Sequence, residues 1–288
     1  MIQMLDFAFM QRALLAAFLV GITAPTVGIF LVQRQLSLIG DGIGHVALAG
    51  VAIGLLTATH PIGMALIVTV IAAILIELVR ASGHTSGDTA LALMFYGGIA
   101  FGVVLMARVT TGGANLDSYL FGAITTTKPA DLIIFAILSA IVVSVAVLLR
   151  RRLFAIAADP EYSRAVGLPV LPLNILLTVL TAVTVVVSMR VVGLLLISAL
   201  MIVPNATSQL FARSYARAAA WAVLIGVLCS VGGVSASYYL STPSGATIVV
   251  IAISLFAVIS LVTHLTHRIT HVRENRRRRK VRHSPTPQ

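Results

Sequence analysis

Long apolar stretches, nearly free of charge, follow one another along this chain: residues 13–32, 41–58, 62–79, 89–107, 131–149, 172–189, 191–211, 216–240 and 245–265. A helix needs about 20 apolar residues to cross the hydrocarbon layer of a membrane. Soluble domains carry about 25% charged residues, whereas this chain has 10% among 288, with 59% hydrophobic. The sequence therefore predicts an all-α polytopic membrane protein of about eight to ten transmembrane helices. Pro25 is expected as a kink, which membrane helices tolerate. Residues 1–12 are too polar to cross and are expected to lie along the headgroups. They have no basic leader pattern, so no cleavable signal peptide is expected.

The formal net charge of +11 invites a nucleic-acid reading, but its distribution argues otherwise. Residues 268–288 hold eight Lys/Arg against one acid, Glu274. Basic flanks of membrane spans mark the cytoplasmic side. This puts the tail, and the triple arginine Arg150-Arg151-Arg152, in the cytoplasm. An even number of spans must then separate them, and the four from residue 172 onward satisfy that. Residues 1–267 form the membrane domain, and residues 268–288 a basic, disordered cytoplasmic tail whose arginines attract anionic lipid headgroups. No nucleic-acid partner is expected. Cys229 is the only cysteine, which excludes an intrachain disulfide and a Cys-rich metal site.

Several chemistries are missing. No G-x-x-x-x-G-K-[ST] loop occurs, and only two lysines, Lys128 and Lys280, are present. The chain therefore does not hydrolyse ATP through a P-loop of its own. Neither H-E-x-x-H nor G-x-S-x-G occurs. The spans hold too few ionisable residues for a proton relay. The chain reads as a non-enzymatic membrane protein, and any energy coupling must come from a partner. One polar insert fits such a contact, residues 153–168. Asp159 is placed as a helix N-cap, with Pro160 at the first helical position and Glu161 in the first turn. Gly167 is placed as the stop. An ordinary interfacial helix fits the same pattern.

The sequence GDGIGHVALAGVAIG, residues 40–54, holds the most informative pair. Asp41 and His45 are four residues apart, so on a helix they share a face. A carboxylate and an imidazole together suit a borderline divalent cation such as zinc, manganese or iron. The pairs Gly40/Gly44 and Gly50/Gly54 have the spacing that lets membrane helices approach closely. Two plainer readings stand beside this one. Asp41 could be an N-cap, and His45 a buried imidazole bonded to a backbone carbonyl.

At these residues the chain resembles a known family, the permease subunits of bacterial ATP-binding-cassette importers for zinc, manganese and iron. Four stretches carry the resemblance: FMQRALLAAFLVG (9–21), LSLIGDGIGHVALAGVAIG (36–54), LDSYLFG (116–122) and VVGLLLISALMIVPNATSQLFAR (191–213). The second is the specific one, and the likeness runs from about residue 1 to 264. It implies a type II importer-like fold, in which two permease copies form a central path above two cytoplasmic ATPase subunits in the bacterial cell membrane. It implies a separate extracellular or periplasmic binding protein that delivers the metal, which is cargo rather than a bound cofactor. It also implies that Asp41 and His45 line the path and ligate the ion, and that a homodimer offers two carboxylates and two imidazoles. The segment from Asp159, Pro160 and Glu161 to Gly167 takes the place of the coupling helix. Gly44 stands where many members have alanine. Alternatives are a siderophore- or cobalamin-type permease of the same architecture, or a metal-independent carrier.

Weaker candidates are His60 at an outer turn and Asp117 in the connection between residues 110 and 129, which is expected outside with a short re-entrant helix. Each is also an ordinary loop residue. Glu77, His84 and Asp88 group near an inner loop, and His264, His267 and His271 lie beside the tail.

Overall fold

The structure, a computed structural model, describes residues 6–83, 87–109, 116–122, 129–194 and 196–282; of residues 88, 116, 117 and 267–282 it describes the backbone alone. In chain order the elements are α1 (Ala8–Gln33), α2 (Ile39–Leu56), α3 (Pro61–Ala81), α4 (Gly87–Met106), α5 (Leu116–Leu120), α6 (Pro129–Leu148), α7 (Arg150–Ala158), α8 (Pro160–Ala165), α9 (Val170–Ser188), α10 (Ile197–Gln209), α11 (Tyr215–Leu240) and α12 (Ser244–Arg282). No strand occurs among the described residues. Eight of these helices are long and apolar enough to cross a membrane, all but α5, α7, α8 and α10. The expected all-α polytopic fold is the one observed.

Helix α1 is the hub, packed against α6, α9, α10 and α11. Met10, Ala13, Ala17, Val20, Ala24 and Val27 recur at helical spacing and are buried. The helix therefore starts at Ala8. Residues 8–12 are its first turns, not a separate segment along the headgroups, because Met10 continues the buried face. Pro25 sits inside α1 without ending it. Its ring removes one backbone donor, and Gly226 of α11 packs against the spot, where an added methyl would stand 2.6 Å from Gly21 O. Asn205 of α10 donates its Nδ2 to Pro25 O at 3.0 Å.

In α9, hydroxyls sit in the core without cost. Thr178, Thr181, Thr184 and Ser188 each donate to the carbonyl four residues back, at 2.7 to 3.0 Å. Each thereby satisfies its own polar atom and shows a methyl or methylene outward.

Residues 191–211 are not one spanning helix. Only Ile197–Gln209 is helical there, 13 residues. Residues 191–194 are tied through their main chain to distant residues: Leu194 N donates to Tyr119 O at 2.9 Å and Val191 O accepts from Ser244 Oγ at 2.7 Å, while Gly245 N donates to Phe121 O at 3.1 Å and joins those two partner segments to each other. Gly193 has φ +87°, a conformation open to glycine, and an added methyl would stand 2.6 Å from Gly122 N. Irregular backbone survives at membrane depth only when buried in protein in this way. The segment still runs from one end of the bundle to the other. Val191 lies beside Ser244, and Phe211 meets Trp221 near the start of α11, ring centroids 5.6 Å apart.

The membrane helix α6 ends at Leu148, just before the triple arginine, and a separate short helix, α7, opens at Arg150. The last helix, α12, continues to Arg282. Residues 244–282 contain no proline, and Arg, Lys and Glu are good helix formers.

Candidate functional site

Helix α2 is gripped on three sides, and glycines make each grip possible. A methyl added at Gly40 would stand 2.7 Å from Ser198 Oγ, and one at Gly44 2.9 Å from Leu194 O. Further along, methyls at Gly50 and Gly54 would stand 2.6 Å from Ala65 Cα and 2.7 Å from Pro61 Cα of α3. On another side Gly98 of α4 would meet Val46 N at 2.8 Å. Both glycine pairs read from the sequence therefore lie at close contacts, Gly50 and Gly54 against helix α3, Gly40 against α10 and Gly44 against the irregular segment before it.

Asp41 and His45 lie in the first two turns of α2, both half-buried. The N-cap position is Leu38, which makes no side-chain cap bond, so Asp41 is a first-turn residue and not the cap. Its charge there is favoured by the amide dipoles of the helix start. Among the described residues, no carboxylate–cation pair includes Asp41, and no hydrogen bond ties His45 to a backbone carbonyl. Both plainer readings are thereby set aside. The His45 ring meets Phe95 of α4 edge-on, centroids 4.7 Å apart at 83°. Ser198 of α10 faces the Asp41 carboxylate, and its buried Oγ has no partner at bonding distance. Ser198 and Phe95 were not legible in the sequence, because both come into place only when α10 and α4 fold against α2.

Among the described residues, no three His, Cys, Asp or Glu side chains are grouped to hold a metal.

The other candidates fall elsewhere. His60 caps α3, its Nδ1 accepting from Gly63 N at 3.4 Å, and its Nε2 stands 3.8 Å from Asp131 Oδ1 at the start of α6. Glu77 is buried in an ionic cluster. Its Oε2 accepts from Arg80 Nη1 at 2.9 Å and from Thr178 Oγ1 at 3.5 Å. The Arg34 guanidinium lies near both charges: burial holds its pKa below the ordinary arginine value, Glu77 raises it and Arg80 lowers it. This cluster joins positions more than 40 residues apart, so no local pattern announced it. Asp117 belongs to α5, but its side chain lies outside the described residues, as do His84 and the side chains of Asp88, His267 and His271. His264 is exposed on α12.

The insert folds locally as its sequence predicts. Asp159 Oδ1 accepts from Tyr162 N at 2.9 Å, Pro160 opens α8, Glu161 lies in its first turn, and Gly167 turns the chain at φ +85°. Tyr162 and Val166, one turn apart, are 67% and 61% exposed.

Residues 6–263 match the family described as the ABC 3 transport family. The chain belongs to this family. Within the ABC 3 transport family it resembles the "Manganese transport system membrane protein MntC" of Halalkalibacterium halodurans, 33% identical over 256 residues, 88% of this chain and 87% of that one. It resembles the "High-affinity zinc uptake system membrane protein ZnuB" of Haemophilus influenzae at 31% over 250 residues, covering 87% and 96%. Among solved structures, "PsaBC from Streptococcus pneumoniae in complex with Fab" superposes with TM-score 0.80 at 31% identity, covering 89% of this chain and 92% of that one. The ABC 3 assignment makes this chain a multi-pass membrane permease of an ABC transporter.

Proposed function

We propose that this permease moves a divalent transition metal, zinc, manganese or iron, into the cytoplasm as one subunit of an ATP-driven importer. The observation that carries the reading is the Asp41/His45 pair. It is an acid and an imidazole one turn apart on a glycine-gripped helix, without an ion-pair partner and beside the buried Ser198 hydroxyl. A charge placed among membrane helices at this cost is functional by default. Two ligands per chain suffice only if a second copy supplies two more, which gives a mixed oxygen and nitrogen set suited to these ions. The manganese and zinc named for the relatives support the same class of cargo.

The remaining assignments follow from that one. A separate ATPase docks at α7 and α8, where Tyr162 and Val166 stand exposed. An extracellular or periplasmic protein hands the metal to the opposite face. The basic residues at 150–152 and in the tail support a cytoplasmic side for those ends. The test is uptake of radioactive zinc and manganese by cells carrying Asp41→Ala/His45→Ala. The double variant is expected in the membrane at normal level, with uptake reduced to background. Full uptake would overturn the assignment.

A further inference from the structure

At the end of the bundle that carries the triple arginine, α1, α6, α7 and α11 enclose a cavity of about 620 Å³. Most of its wall is hydrocarbon, including Ile29, Phe30, Val147, Phe154 and Ala219. Two of its lining residues are charged. Arg150 and Arg151 are exposed, and neither lies within 4.0 Å of a carboxylate among the described residues. Tyr215 also lines it, its ring 4.4 Å from that of Phe154 and 6.2 Å from that of Phe30. The Tyr215 hydroxyl is buried and has no hydrogen-bond partner.

This combination selects its occupant. A greasy slot at a lipid boundary accepts an acyl chain, and its volume falls in the ordinary range for ligand pockets, about 300–1,000 Å³. A guanidinium grips a phosphate through paired N–H donors, and two of them line this slot. A buried phenol finds an acceptor in an ester or phosphate oxygen. Basic pockets between membrane helices on the cytoplasmic side bind anionic headgroups by this means. A second copy seated here would bury two cations with no acid beside them on this face. We propose that this slot is a binding site for an anionic phospholipid of the cytoplasmic leaflet, its acyl chain between α1 and α11 and its phosphate on Arg150 and Arg151.

The full-length chain is reconstituted in vesicles of phosphatidylethanolamine and phosphatidylglycerol in equal amounts. It is then extracted, and retained lipid is counted by native mass spectrometry. Phosphatidylglycerol is expected to exceed phosphatidylethanolamine by about tenfold. Arg150→Gln/Arg151→Gln should erase that preference, and Ala220→Trp, which fills the slot from an exposed position, should lower retention of both lipids. Arg108→Gln, exposed after the end of α4 and away from the slot, should leave the preference unchanged. Unchanged preference in the double arginine variant would overturn the site. So would displacement of the lipid by soluble glycerol phosphate, or efficient cross-linking of two Val147→Cys chains through this face.

Discussion

Glu77 and Asp41 are both carboxylates on membrane-spanning helices, yet the fold treats them oppositely. Glu77 is 3% exposed and is answered from within the chain by Arg80, Thr178 and the nearby Arg34. Asp41 is half-buried, has no cation at ion-pair distance, and faces a hydroxyl that is itself unpartnered. Burying a charge costs several kcal/mol unless close partners answer it. The first carboxylate therefore belongs to the architecture. The second has no such ionic partner among the described residues.

The contrast can be broken by measurement. The largest effect is expected for Glu77→Ala, which strands the half-buried guanidiniums of Arg80 and Arg34 and should cost about 3 kcal/mol. Thermal unfolding in detergent reads this, and Asp41→Ala should fall well short of it. Equal losses for the two would end the distinction. Next comes Gly50→Ala, which drives a methyl to 2.6 Å from Ala65 Cα of α3 and should cost about 1–3 kcal/mol in the same measurement. Gly97→Ala on α4 meets nothing within 4 Å and should instead add up to ~1 kcal/mol. Asp159→Ala removes the cap of α8 and should cost ~0.5–2 kcal/mol of that local structure. Its clearer readout is ATP hydrolysis that no longer follows uptake in the assembled transporter. The smallest effect is expected for His60→Gln. The imidazole side chain is 58% exposed and 3.8 Å from Asp131, so less than about 1 kcal/mol should change, with uptake intact.

The sequence made most of the frame legible because lipid simplifies the code. Uninterrupted apolar runs name the spans, and a four-residue interval puts Asp41 and His45 on one face. The turn chemistry of Asp159, Pro160 and Gly167 is equally local, and it reads true. What stayed hidden depends on contacts between distant residues. Residues 191–211 look like a span because they are apolar, whereas their conformation is dictated by the main chain of residues 119–122 and 244–245. The ionic cluster and the approach of Ser198 and Phe95 to the pair have the same origin: each needs two helices already folded together.

The junction at Gly193 has a mechanical consequence. Three remote portions of the polypeptide are riveted there chiefly through amide and carbonyl groups, a type of fastening that most side-chain replacements leave untouched. That end of the bundle is therefore clasped in a way that tolerates most changes of side chain.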